Sequence, residues 1–149
     1  MVHANDLVEE FPLVDLDADA LDAARILATR RLPGLVVTGE LGRPYAILPA
    51  SQVVRFVVPG YIQDDPSLAG VIDESVADRI AARLVGRTVR DLLPKNPVEL
   101  PTVNADDTML ELAAVMARLR SPLVAVLDGD AIIGVVTASR LLGVLCGPL

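Results

Sequence analysis

A chain of 149 residues, 52% of them hydrophobic, with a formal net charge of −7 and 3% aromatics, is long enough for one domain or two very small ones. The acidity excludes general binding to nucleic acid or to an anionic membrane surface, and so few rings, with no Trp, exclude a base-stacking platform. No apolar run approaches the roughly 18 residues of a spanning helix, and the mean hydropathy of +0.50 implies more apolar surface than one protomer buries. We therefore expect a cytoplasmic protein without direct membrane insertion, self-associating as a homodimer.

The N-terminus, "MVHANDLVEEFP", lacks a signal peptide's basic start and apolar middle and is expected to be mobile. After Pro12, Leu13-Val14 reads as a short extended piece. A helix follows, with Asp17 as its expected N-cap and Ala23, Ile26, Leu27 and Arg30 at helical spacing. Pro33 forbids its continuation. "LVV" then reads as a strand, "TGELGRP" as a turn, and a second strand ends at Pro49 before a short apolar helix.

Asp65-Pro66 next reads as the start of a long connecting helix. Its stripe is Leu68, Ile72, Val76, Ile80 and Leu84, and Gly86 is its stop. The other face carries Asp73, Glu74, Asp78, Arg79 and Arg83. This helix is either a packed connector or a dimer or partner contact.

From Pro101 the pattern returns. "PLVDLDADALDAARILATRRLPGLVV" aligns without a gap with "PTVNADDTMLELAAVMARLRSPLVAV". Pro12 meets Pro101, Asp17 meets Asp106, Arg31 meets Arg120 and Pro33 meets Pro122. The first turn then has one extra residue, after which "AILPASQVV" lies over "GVVTASRLL". Asp106 is the expected N-cap of the second long helix, with Leu112, Val115, Met116 and Leu119 as its stripe. The order is β-α-β-β-α, twice. Neither copy, at roughly 50 residues, buries enough area alone, so we expect an α+β fold in which the two repeats pack through their sheets. The first repeat spans 6–58, a connecting segment 59–88 and the second repeat 89–146.

Thr137 stands where the last strand feeds the last helix. Amides at such a junction have no partner within the helix, and with the helix dipole they favour an anion, to which a threonine hydroxyl can donate. Arg30, Arg31 and Arg120 precede the Pro-led strands. They either offset the negative helix ends or reach toward an anion. Catalytic chemistry finds little material. His3 is the single histidine and Cys146 the single cysteine, the latter in an apolar stretch and expected in the core. That leaves no Ser-His or Cys-His pair within the fold and no histidine-based metal cluster. Asp15, Asp17, Asp19 and Asp22 crowd a helix start, where they favour the dipole.

The second copy, "VNADDTMLELAAVM" followed by "SPLVAVLDGDAIIGVVTASRLL", resembles the cystathionine-β-synthase (CBS) domain. The repeat makes the chain similar to a tandem CBS pair, with a degenerate first copy. The resemblance implies a non-catalytic regulatory module that binds an adenine nucleotide or related adenosyl anion (ATP, ADP, AMP or S-adenosylmethionine) in a cleft between repeats. No cofactor is required, and a separate enzyme or transporter is the controlled partner. The implied site takes Thr137, Ala138, Ser139 and Arg140 from the last helix, with Ser51 and Gln52 as first-copy counterparts. Pro122, Leu123 and Gly34 come from the strand starts, Val103 and Val14 from the extended pieces, and Arg30, Arg31 and Arg120 from the helix ends. In the family the Thr contacts phosphate, and an Asp three positions on grips the ribose hydroxyls. Here Arg140 and Gln52 stand at the Asp positions, and Pro49 at the first copy's Thr position. Arginine has no acceptor, so a typical ribose grip is not expected. The alternative is a ligand-free dimerisation or interaction module that has lost nucleotide binding.

Overall fold

The computed structural model describes residues 1–71, 78, 79 and 82–147. Each repeat begins with a short strand, β1 (Leu13–Asp15) or β5 (Thr102–Asn104). A helix of eleven residues follows, α2 (Ala20–Arg30) or α6 (Met109–Leu119). Then comes a two-stranded hairpin: β2 (Gly34–Thr38) with β3 (Pro44–Pro49), or β6 (Leu123–Asp128) with β7 (Ala131–Thr137). A closing helix ends each repeat, α3 (Ala50–Val57) or α7 (Ala138–Cys146). The strand orders are β1-β2-β3-β4, where β4 is Val98–Glu99, and β5-β6-β7. In the second sheet β5 runs parallel to β6 through the α6 crossover, and β6 pairs antiparallel with β7. The expected β-α-β-β-α order is present in both copies.

The long helices start two residues later than their acidic runs suggest. Asp19 caps α2, accepting from the Asp22 amide at 3.0 Å, and Thr108 caps α6, accepting from Glu111 at 3.2 Å. Asp17 and Asp106 are not the caps. The residues between strand and helix are used by a turn, in which Asp15 accepts the Asp17 amide at 2.8 Å and Asp107 that of Asn104 at 2.9 Å. The turn is closed by neighbouring acids, Asp15 and Asp107, and the caps fall two residues beyond Asp17 and Asp106.

The chain forms two compact units, residues 1–13, 38–46 and 99–149, and residues 14–37 and 47–98. In the unit carrying the second repeat, Leu112, Met116, Val124, Val126, Val136 and Leu141 form the core. Ala4 and Leu7 join them, from α1 (Ala4–Leu7). The N-terminus is thus a built part of this core, not a mobile tail. Ala4 and Asn5 donate to the carbonyls of Asp107 and Ala105 at 2.7 and 3.1 Å, and Met109 donates to Val2 at 3.0 Å. His3 heads α1, with its amide held by Asp6 Oδ2 at 2.9 Å.

The unit carrying the first repeat repeats this arrangement with α5 (Val89–Leu92). Val89 and Arg90 donate to Ala18 and Leu16, and Ala20 donates to Arg87, each at 2.9 Å. Asp91 Oδ2 holds the amide of Thr88, the residue heading α5, at 3.0 Å. The duplication seen in the alignment is therefore also written in equivalent backbone bonds. In each unit a short helix from outside the aligned repeat packs onto the long one.

The expected connecting helix falls partly outside the described residues. A short helix, α4 (Gly60–Asp64), precedes it. Asp65 accepts from the Ser67 amide and hydroxyl at 3.3 and 2.6 Å and opens a 3-10 turn over Pro66–Val71. Asp78, Arg79 and Ala82 are helical and Leu84 is buried. Ile72, Asp73, Glu74, Val76 and Ile80 lie outside the described residues. Arg83 stacks over Phe56 at 5.8 Å. Cys146, expected in the core, is exposed. It ends α7, a helix in which Leu141 is buried while Leu142 and Leu145 are exposed as well. No helix among the described residues is long and apolar enough to cross a membrane.

Candidate functional site

The candidate residues fall into two sets, one in each unit. In the unit of the second repeat, strand β7 runs straight into α7, and Thr137 is the N-cap. Its Oγ1 accepts from the Arg140 amide at 3.2 Å and lies 3.2 Å from Ser139 Oγ. A hydroxyl has one proton and two lone pairs. One lone pair is committed to the helix, which leaves the proton to Ser139 or to an incoming oxygen. The Ala138 amide is taken by the carbonyl of Pro122 at 2.9 Å. That bond docks the first turn of α7 onto the start of β6, where Leu123 pairs with Thr137. The Ser139 amide stands in the first turn, where amides have no acceptor within the helix. Pro122, Ser139 and Arg140 are exposed and Thr137 is half-buried, whereas Val103 and Leu123 are buried.

In the other unit the same docking bond recurs, from the Ala50 amide to the carbonyl of Pro33 at 2.9 Å. Pro49 is the N-cap here and supplies no side-chain bond. Ser51 is exposed, while Val14 and Gly34 are buried. Gly34 has a packing reason to lack a side chain, since a Cβ would meet the Leu48 carbonyl oxygen at 3.1 Å.

The two positions that depart from the expected acid both have partners within their own unit. Arg140 Nε lies 3.8 Å from Glu9 Oε1. Gln52 Nε2 donates to the carbonyl of Leu92 at 3.1 Å. Each ties the first turn of a closing helix to the segment carrying the short helix packed in that unit. Glu9 is itself fixed, since it exchanges both backbone hydrogen bonds with Val135 at 2.9 and 3.0 Å. No sequence pattern announced these partners, because each is set by tertiary placement of a segment outside the aligned repeat.

The arginines end the long helices. Arg30 lies in the last turn of α2. Arg31 and Arg120 are the C-caps of α2 and α6, both left-handed, with φ of 52° and 51°. The next amides, Leu32 and Ser121, reach back to Leu27 and Met116 at 3.0 and 3.2 Å, the bond that closes a helix of this kind. All three side chains are exposed.

None of these candidate residues lines either of two open hollows. One of about 340 Å³ is lined by His3, Asn5, Asp6, Ala105 and Asp106. The other, of about 210 Å³, is an apolar groove between α2 and α3, lined by Ala24, Leu27, Ala28, Ala50, Val53 and Val54. Among the described residues no group of three or more His, Cys, Asp or Glu is placed to hold a metal ion.

Comparison with known proteins places this geometry. The family model for the CBS domain matches residues 89–147. A CBS domain-containing protein of unknown function from Kribbella flavida DSM 17836 is 60% identical; the match covers 99% of this chain and all of that one, with a TM-score of 0.93. The CBS domain of a CBS domain-containing membrane protein from Sphaerobacter thermophilus is 21% identical over 95% of this chain and 86% of that one, with a TM-score of 0.71. CBSX2, solved in complex with AMP, is 14% identical over 98% of this chain and 97% of that one, with a TM-score of 0.67. The last two show likeness of fold alone. No curated protein matches the sequence.

Proposed function

This chain belongs to the CBS domain family, and on that footing we propose that it is a non-catalytic regulatory module. It senses an adenine nucleotide or related adenosyl anion and controls a separate partner protein. Residues 6–58 and 89–146 are its repeats, and it works as a homodimer. The observation that carries the reading is the first turn of α7. There Thr137 Oγ1, which caps the Arg140 amide, lies 3.2 Å from Ser139 Oγ, so that two hydroxyls, the Ser139 amide and the Arg140 cation share one turn. A solved structure of the same fold that holds AMP supports the choice of ligand class.

Calorimetry and thermal shift with ATP, ADP, AMP and S-adenosylmethionine test it. At least one of them is expected to stabilise the protein. Thr137→Ser is expected to retain the effect. Thr137→Asn, which keeps a capping oxygen but no hydroxyl, is expected to lose it. A light-scattering mass of one chain would remove the homodimer.

A second reading has its own support. Arg140 and Gln52 are engaged by Glu9 and Leu92, and Pro49 brings no donor. Such a module would be a ligand-free interaction surface. Silence from all four compounds at millimolar concentration would leave that reading in place.

A further inference from the structure

We propose that the third residue of each closing helix is a latch on a packed segment, and that in the second repeat an arriving anion opens it, because Glu9 is an internal competitor for Arg140. The opening step rests on the anion-sensing reading above; the latch itself does not.

Arg140 and Gln52 occupy aligned positions, each third in its helix. Each reaches the segment packed in its own unit, Arg140 to Glu9 and Gln52 to Leu92. The chemistry differs in a way that matters. Gln52 to the Leu92 carbonyl is a neutral, half-buried bond, which an anion has no reason to displace. Arg140 to Glu9 is an ion pair at 3.8 Å, with side chains 44% and 52% exposed. Pairs of that kind are weak and easily exchanged. A phosphate carries more charge than one carboxylate and accepts a bidentate guanidinium. An anion at the first turn of α7 therefore draws Arg140 away from Glu9.

Glu9 is the far end of a strap. Its backbone is bonded to Val135, while Ala4 and Asn5 are bonded to Asp107 and Ala105. Ala4 and Leu7 lie in the core. Losing the side-chain contact loosens the strap at the Glu9 end first. The first repeat's latch stays shut, so the device is asymmetric.

Hydrogen exchange on the full chain reads it, at the amides of Glu9 and Val135. Glu9→Gln and Arg140→Gln are each expected to speed their exchange about two- to fivefold, the range of a weak exposed pair. The double variant should do no more than either single. Single variants that exchange like the wild type overturn the latch. AMP and, separately, inorganic pyrophosphate are then added at fixed ionic strength. Both are expected to speed the same amides in the wild type and to bind Glu9→Gln about two- to fivefold more tightly. Only AMP acting would assign the trigger to a nucleotide and overturn a plain anion trigger. A compound that binds by calorimetry and leaves the amides unmoved overturns the opening. If neither binds, the sensor reading and the opening fall together, and the two single variants alone decide the latch.

Discussion

A Cβ placed on Gly134 would stand 2.5 Å from the carbonyl oxygen of Glu9 and would also strike the Val8 side chain. The approach follows from the paired bonds between Glu9 and Val135, which pull the strap flat against β7. Gly134 also has a φ of 154°, where a side chain is strained. Because the obstructing atom is backbone, the strap must shift. Gly134→Ala is expected to lose about 1–3 kcal/mol in urea denaturation. Gly143, in α7, has nothing within 4 Å of its would-be Cβ. Gly143→Ala is expected to gain about 0.5–1 kcal/mol. Equal stability of the two variants would contradict the close approach.

Leu7 tests whether the strap is part of the core. It is 2% exposed and packs in the cluster of Leu112 and Val136. Leu7→Ala is expected to lose about 2–5 kcal/mol, the usual range for a truncated core leucine. A loose N-terminal tail would lose nothing.

The strap is also what the sequence hid. A four-residue helix such as α1 or α5 completes barely one turn, so it has no periodic signal. A cue existed in the paired Asp6-Leu7 and Asp91-Leu92, each acid three residues after the residue heading its helix. The spacing from these pairs to the following proline differs between copies, so the gapless alignment passed over them. By contrast, β1, α2, β2, β3 and α3 were legible, because two copies with the same proline and apolar spacing reinforce each other. Thr137 was legible as the junction of the last strand and the last helix, since a strand ending on a hydroxyl before "ASR" is a local pattern, but its use as the N-cap that accepts from the Arg140 amide was not. The partners of Arg140 and Gln52 were not, because contacts with Glu9 and Leu92 depend on where distant segments land. Asp17 and Asp106 misled for a local reason: a turn built on Asp15 and Asp107 takes up these residues, and the caps fall to Asp19 and Thr108 two residues on.

Cys146 gives a simple check on the exposed end of α7. An apolar neighbourhood in sequence suggested burial, but α7 buries Leu141 and leaves Leu142, Leu145 and Cys146 exposed at its end. In the folded monomer the thiol is expected to react with a maleimide or disulfide reagent without denaturant, at a rate close to that of a free thiol. Protection that disappears on dilution would mean that a second copy covers this face, in keeping with the proposed homodimer.

Arg31 and Arg120 pose the sharpest question about the arginines. Both hold a left-handed backbone at a helix end, where glycine is the usual occupant and other L-residues cost about 1–2 kcal/mol. Both copies carry arginine at this aligned position. A cation at a helix C-terminus returns some of that cost, on the order of 0.3–1 kcal/mol when exposed. Stability alone would therefore favour glycine or leave the choice even. Arg120→Gly is expected to hold or raise stability by about 0.5–1 kcal/mol, after allowing for glycine's looser unfolded state, and Arg31→Gly to behave alike. The two readings of these residues then separate in the binding isotherm. If Arg120 serves the anion site, Arg120→Gly loses affinity for AMP while melting no lower than the wild type, and rising salt narrows the difference. If Arg120 only offsets the helix dipole, affinity is unchanged. A variant that both melts lower and binds less well would show that the arginine supports the helix end itself, and the left-handed cap would need another explanation.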